Sequence, residues 1–102
     1  MLTKGIIIDK IKENANAIRA HGISKIGLFG SYVREEQRQE SDIDVLIDFE
    51  DGEENFDNFI EICFLLDDLF AGEKVEIVTI NGLSPYIGPH ILNEVEYVQI
   101  AN

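Results

Sequence analysis

The sequence contains a single cysteine, Cys63. No disulfide can form within the chain, which fits a reducing compartment. Basic residues are scarce, with 8 lysines and arginines against 20 acids and a net charge of −12. Such a balance excludes a surface built to neutralise a phosphate backbone, so no direct nucleic-acid binding is expected. No apolar run approaches the roughly 20 residues of a membrane helix. The opening Met1-Leu2-Thr3-Lys4-Gly5 soon reaches Asp9 and Lys10, without the apolar stretch and cleavage site of a signal peptide. A cytoplasmic protein away from membranes is expected. Neither a Walker-type glycine-lysine loop nor a Rossmann glycine pattern is present. The histidines, His21 and His90, stand too far apart in sequence for metal-ligand spacing. Repeats, low-complexity tracts and linkers are also missing.

What is present is an ordinary globular composition, 45% hydrophobic and 27% charged over 102 residues. That length favours one domain spanning 1–102, burying roughly 65% of its unfolded surface around one modest core. The acidity suits a chain that binds divalent cations or docks a basic partner. Simple solubility accounts for it equally well.

Ile7, Ile8, Ile11, Ala15 and Ile18 recur at helical spacing and predict a helix from about Thr3 to Ala20, with Thr3 as cap and Gly22 past the end. A short strand follows over Ser24 to Phe29. Gly30-Ser31 breaks it and opens a short helix, and polar Glu35 to Glu40 turns the chain back. Asp42 to Phe49 is the clearest strand. Ile43, Val45, Ile47 and Phe49 alternate with Asp42, Asp44 and Asp48, and only Leu46 departs from the alternation.

Asp51-Gly52 marks a turn, and Phe56 to Ala71 is a helix stopped by Gly72. Phe56, Phe59, Ile60, Cys63, Phe64 and Phe70 form its apolar stripe, which makes Cys63 a core residue. Ile62, Leu65 and Leu69 lie on the other side, so the apolar arc is wider than one face requires. The excess fits a helix sandwiched between sheet and last helix, or a surface for a partner or second copy. Lys74 to Ile80 is a third strand. Asn81-Gly82 turns the chain, with Ser84 as a cap and Pro85 in a first helical turn. Gly88-Pro89 interrupts, and a final helix runs from Pro89 to about Val98. The fold class is therefore α/β, a small mixed β-sheet flanked by helices in the order α-β-α-β-α-β-α.

The chemistry concentrates in Gly30-Ser31, ten residues, then Asp42-Ile43-Asp44. Asp42 and Asp44 are two apart on a strand, so their carboxylates share a face. Two carboxylates so close repel unless a cation sits with them. Mg²⁺ takes hard oxygen ligands, commonly one or two carboxylates completed by substrate phosphates. A glycine at the strand-to-helix turn lets a phosphate approach the backbone, where free N–H groups wait. The Ser31 hydroxyl adds a donor, and Arg34, about one helical turn on, reaches a terminal phosphate. Glu76, flanked by Val75 and Ile77 on a strand read as interior, is a third acid able to ligate a metal and take a proton. Plainer readings fit each residue alone. Asp42 and Asp44 also suit a solvated strand face, Ser31 a simple cap, Arg34 a surface ion pair, and Glu76 an edge residue paired with Lys74. Tyr32 fits either the neighbourhood of a nucleotide or packing.

The run Gly27-Leu28-Phe29-Gly30-Ser31-Tyr32-Val33-Arg34, then Ser41-Asp42-Ile43-Asp44-Val45-Leu46-Ile47, resembles the G-S-x10-D-x-D signature of nucleotidyltransferases of the DNA polymerase beta type. It is most similar to their smallest members, the minimal nucleotidyltransferase antitoxins paired with HEPN-domain ribonuclease toxins. Lys74-Val75-Glu76-Ile77-Val78-Thr79 and the closing helix extend the resemblance over nearly the whole chain. The resemblance implies that Gly30 and Ser31 hold the phosphates of ATP, that Asp42 and Asp44 ligate Mg²⁺, and that Glu76 takes the place of the third acid. It implies transfer of AMP from ATP to a tyrosine of the toxin, which silences it. Two positions depart from the pattern. The third acid is usually aspartate, and the residue after Arg34, here Glu35, is commonly glycine. An alternative is a non-catalytic antitoxin that acts by docking a basic toxin. A small-molecule nucleotidyltransferase fits less well, because such enzymes usually add a second domain for the acceptor.

Overall fold

The computed structural model describes residues 2–101. Ten segments follow in order: α1 (Lys4–Glu13), α2 (Ala15–Ala20), β1 (Ile23–Phe29), α3 (Ser31–Arg34), β2 (Ile43–Phe49), α4 (Phe56–Leu69), β3 (Val75–Thr79), a 3-10 turn (Ile80–Gly82), α5 (Gly88–Glu94) and β4 (Glu96–Val98). The four strands form one mixed sheet in the order β3-β2-β1-β4. β1 runs antiparallel to β2 and β4, and β2 runs parallel to β3. The α/β class and the mixed sheet are as the sequence predicts.

Alternation along β2 divides the sheet's two faces. Ile43, Val45 and Ile47 point into the main core with Ile26 and Leu28 of β1, Ile7 and Ile11 of α1, Ile18 of α2, and Ile62 and Leu66 of α4. Each such side chain contributes roughly 1.5–3 kcal/mol by leaving water. Asp44, Leu46 and Asp48 take the opposite face. Leu46 is fully buried there, and Ile91 of α5 is buried too, both outside the main cluster.

Four expectations need correction. The first helix is two helices, broken at Asn14, whose side-chain amide donates to the Lys10 carbonyl at 2.8 Å and competes with helix continuation. Thr3 does cap its start, accepting from the Ile6 N–H at 3.2 Å. The last helix stops at Glu94, and Glu96–Val98 is instead a strand on β1. Gly27 makes this possible, because a Cβ there would stand 2.7 Å from Val95 and 3.0 Å from the Glu96 carbonyl. Gly88-Pro89 begins α5 rather than interrupting it. Ser84 caps only the single turn ahead of it, accepting from the Ile87 N–H at 3.1 Å.

The fourth correction concerns α4. Its buried residues are Ile62 and Leu66, while Phe56 and Phe64 are 74% and 62% exposed. Cys63 is half-buried, outside the core cluster. The apolar arc is indeed too wide for one face: Phe70 is buried and Phe59 packs against the core, while Phe56 and Phe64 are the surplus. Asn55 caps this helix, accepting from the Asn58 N–H at 2.8 Å.

Candidate active site

β1 ends at Phe29, the chain turns through Gly30, and α3 starts at Ser31. Phe29 pairs with Asp44 across the antiparallel ladder, and Asp44 pairs with Glu76 across the parallel one. Three neighbouring strands therefore bring the β1–α3 turn, Asp44 and Glu76 into one row. Asp42, just before β2, stands at the mouth of that row. Gly30 has φ 79° and ψ −153°, and a Cβ on it would overlap the Asp44 carboxylate. Backbone and carboxylate approach this closely only because the residue is glycine.

Asp44 is the electrostatic centre. Burial pushes its carboxyl up to about 6, with Glu76 and then Asp42 adding repulsion and Arg34 partly offsetting it. Lys74 stands 3.8 Å from Asp42 Oδ2 and 3.8 Å from Glu76 Oε1, an ammonium between two of the three acids. β3 is an edge strand and Glu76 is exposed, which corrects its reading as an interior residue. Among the described residues no three or more carboxylates, thiols or imidazoles are gathered closely enough to cage a metal. The oxygen donors nonetheless suit Mg²⁺, which usually keeps waters and borrows phosphate oxygens rather than using an all-protein cage. The crowding that raises Asp44 is what a cation there would relieve.

The donors expected to meet phosphate are occupied by a residue without an assigned role in the sequence reading. Glu94, at the end of α5, accepts from the Gly30 N–H at 2.7 Å, and its two oxygens accept from Arg34 Nη1 at 3.1 and 2.9 Å. Arg34 Nε also donates to Glu36 at 2.9 Å. Arg34 is thus an ion-pair partner in this state, held charged by Glu94 first and Glu36 second. Gly30 and Glu94 are 64 residues apart, and no local pattern announces such a contact. Ser31 opens α3 and is half-buried. Tyr32 is buried in the core, so packing is its role, and burial raises its phenol. A cleft of about 270 Å³ lined by Lys25, Ile26, Tyr97 and Ile100 lies at the β4 edge, opposite the edge that carries Glu76, and takes no part in this arrangement.

Glu35 adopts φ 57° and ψ 36°, the left-handed conformation that favours glycine. A non-glycine residue there costs roughly 1–2 kcal/mol. Glu35→Gly is expected to stabilise the fold by about 0.5–1 kcal/mol after glycine's extra unfolded entropy, raising the melting temperature by a few degrees. Thermal unfolding followed by circular dichroism checks this, and a lower midpoint would contradict it.

The family model described as "Polymerase beta, Nucleotidyltransferase" matches residues 9–100. The chain belongs to this nucleotidyltransferase family. It is accordingly a transferase of that class. Among its relatives is Protein adenylyltransferase MntA of Thermococcus cleftensis, 42% identical over 77 residues that cover 76% of this chain and 76% of the relative. A solved structure provisionally named a minimal nucleotidyltransferase superposes with a TM-score of 0.68 at 29% identity, covering 87% of this chain and 93% of its own. A toxin–antitoxin crystal structure with AMP-PNP matches at TM-score 0.60 and 21% identity, over 90% of this chain and 72% of that one, which shows the shared fold.

Proposed function

We propose that this nucleotidyltransferase is an Mg²⁺-dependent protein adenylyltransferase acting as an antitoxin, with a HEPN-domain ribonuclease toxin as acceptor. The observation that carries the chemistry is the row formed by Gly30, Asp44 and Glu76, with Asp42 at its mouth. The adenylyltransferase name of the 42%-identical relative supports the reaction, and the toxin–antitoxin neighbour holding AMP-PNP supports the partner and the nucleotide.

In this reading the Gly30 N–H, Ser31 and Arg34 orient the phosphates of ATP. Asp42 and Asp44 would hold Mg²⁺, which would supply neutralisation of phosphate charge and of the charge developing on the attacking oxygen. Glu76 accepts the proton of the acceptor hydroxyl. That oxygen forms a bond to the α-phosphorus, the bond to the bridging oxygen breaks, and pyrophosphate leaves. Positioning and charge neutralisation supply most of the rate. The two-domain small-molecule enzymes shape an acceptor pocket of their own, whereas here the acceptor comes on a partner.

A docking contribution is favoured by α4. Its exposed Phe56 and Phe64 lie in a stretch with no basic residue between Arg38 and Lys74. Such a face suits a basic partner with an apolar groove. The test is label transfer from α-phosphate-labelled ATP to the toxin encoded beside this chain, with Asp42→Asn in parallel. Label on the partner with the unmutated chain alone is the expected result. A stable complex without label would instead establish an antitoxin acting by binding alone.

A further inference from the structure

We infer that Glu94 is a built-in occupant of the phosphate subsite, a carboxylate that an incoming polyphosphate must displace from Gly30 and Arg34. The inference rests on the nucleotide site proposed above and adds to it the residue that sets nucleotide affinity.

One carboxylate holds both of the charged and backbone donors assigned to phosphate. Glu94 Oε1 takes the Gly30 N–H at 2.7 Å, and both its oxygens lie within 3.1 Å of Arg34 Nη1. Carboxylate and phosphate compete for the same guanidinium and amide donors with the same sign of charge. The single Gly30 N–H cannot serve both, and Arg34 already commits Nη1 to Glu94 and Nε to Glu36 at 2.9 Å, so a phosphate gains these donors only as Glu94 gives them up.

Release needs little rearrangement. Glu94 is the last residue of α5, and its side chain is 28% exposed. A rotation about its side-chain bonds carries the carboxylate into solvent without unwinding the helix or unpairing β4. Apolar neighbours do not lock the ion pair, since Arg34 is 49% exposed. The pair is therefore strong enough to discriminate and weak enough to exchange. A partly exposed pair plus the removed like-charge repulsion corresponds to about a 5- to 10-fold change in affinity.

The experiment is calorimetric titration of the full chain with Mg-ATP and, separately, with magnesium tripolyphosphate. The proteins are the parent, Glu94→Gln, Arg34→Ala and the double variant. Glutamine keeps an oxygen for the Gly30 N–H and removes only the charge. Glu94→Gln should bind both ligands about 5- to 10-fold more tightly. The gain should shrink in the Arg34→Ala background, where only the competition at the Gly30 N–H and the like-charge repulsion remain. Glu94→Asp, too short to span both donors, should also tighten binding, and it serves if the glutamine variant melts early. Unchanged or weaker binding of Mg-ATP by both Glu94 variants would make Glu94 a structural tie and overturn the inference. A gain for ATP without one for tripolyphosphate, or a gain undiminished without Arg34, would overturn it as well. If the parent binds Mg-ATP and the variants match it, only this inference fails. If no protein binds nucleotide, the proposed function fails with it.

Discussion

Asp44→Asn should abolish nucleotidyl transfer and, at neutral pH, make the protein more stable. The loss of activity is expected to be on the order of 10³-fold or more, the scale of losing a preorganised electrostatic group. The gain in stability follows from the same crowding. Burial, Glu76 and Asp42 raise the Asp44 carboxyl from 3.8 to about 6. The folded chain therefore holds this proton more tightly than the unfolded chain does. Stability falls as pH rises from about 4 through 6, and above that the ionised carboxylate is a constant penalty. Two full pH units would correspond to roughly 3 kcal/mol, but solvent screening of a half-buried group reduces this to about 1 kcal/mol. Asparagine removes the penalty, so the variant should melt about 4–8 °C higher at pH 7.5. The advantage should fade to nothing near pH 4, where the parent's Asp44 is already neutral. Mg-ATP should raise the melting point of the parent and leave the variant's in place. Parallel melts across pH, with and without Mg-ATP, read all of this. Equal midpoints at pH 7.5 would show that the acids do not strain the fold, and undiminished transfer would remove Asp44 from the reaction.

The site was legible where its residues are close in sequence or on patterned strands. Asp42 and Asp44 announce a shared face by their spacing, and β2 obeys the alternation with Leu46 as its exception. Gly30 stands out because a glycine-serine pair ends an apolar strand, and the structure gives it positive φ against Asp44. Glu76 was assigned to the right strand but the wrong position in the sheet. A run of apolar residues reads alike at an edge and in the middle, and only pairing decides. Glu94 was illegible as a site component, since its contacts depend on where α5 docks, whereas the Lys74–Glu76 pair at an edge was one of the plainer readings. Both plainer readings of the charges hold in this state, because Arg34 is ion-paired and Glu76 lies beside Lys74.

Elsewhere the errors share a cause. Val95, Tyr97 and Val98 are strand-favouring residues, yet the apolar period of the preceding helix runs into them. β4 forms because Gly27 leaves room on β1, a tertiary reason that local propensity does not carry. On α4 the aromatic side chains drew the stripe, but Ile62 and Leu66 are the buried pair. The hydrophobic pattern fixed the helix and not which side of a wide arc meets the sheet.

Gly30→Ala should be the most damaging single-methyl change in the chain. The backbone at φ 79° and ψ −153° belongs to a region populated essentially by glycine, and holding alanine there costs of order 1–3 kcal/mol. The added Cβ would also overlap the Asp44 carboxylate and stand 3.0 Å from its Cγ and 3.3 Å from its Cβ. The backbone of Asp44 is held by strand pairing on both edges, so relief must come from turning its carboxylate away from the turn. Overpacking adds about 1–3 kcal/mol, so the total is about 2–6 kcal/mol with a centre near 4, a large part of the 5–15 kcal/mol of a typical domain. At that centre the melting midpoint should fall by roughly 16–32 °C. Gly52→Ala separates the two contributions. Gly52 has φ 78° and nothing within 4 Å of a built Cβ, so that variant meets backbone strain alone. It should lose only about 1–2 kcal/mol. Denaturant unfolding of both variants measures the difference, which sets an upper bound on the cost of moving Asp44. Where Gly30→Ala remains folded, at low temperature, it should still fail to transfer nucleotide, because the displaced carboxylate and the turn that presents the Gly30 N–H no longer meet one ligand. Equal losses in the two variants would mean that Asp44 moves aside freely. The close approach of turn and carboxylate would then be incidental to both stability and chemistry.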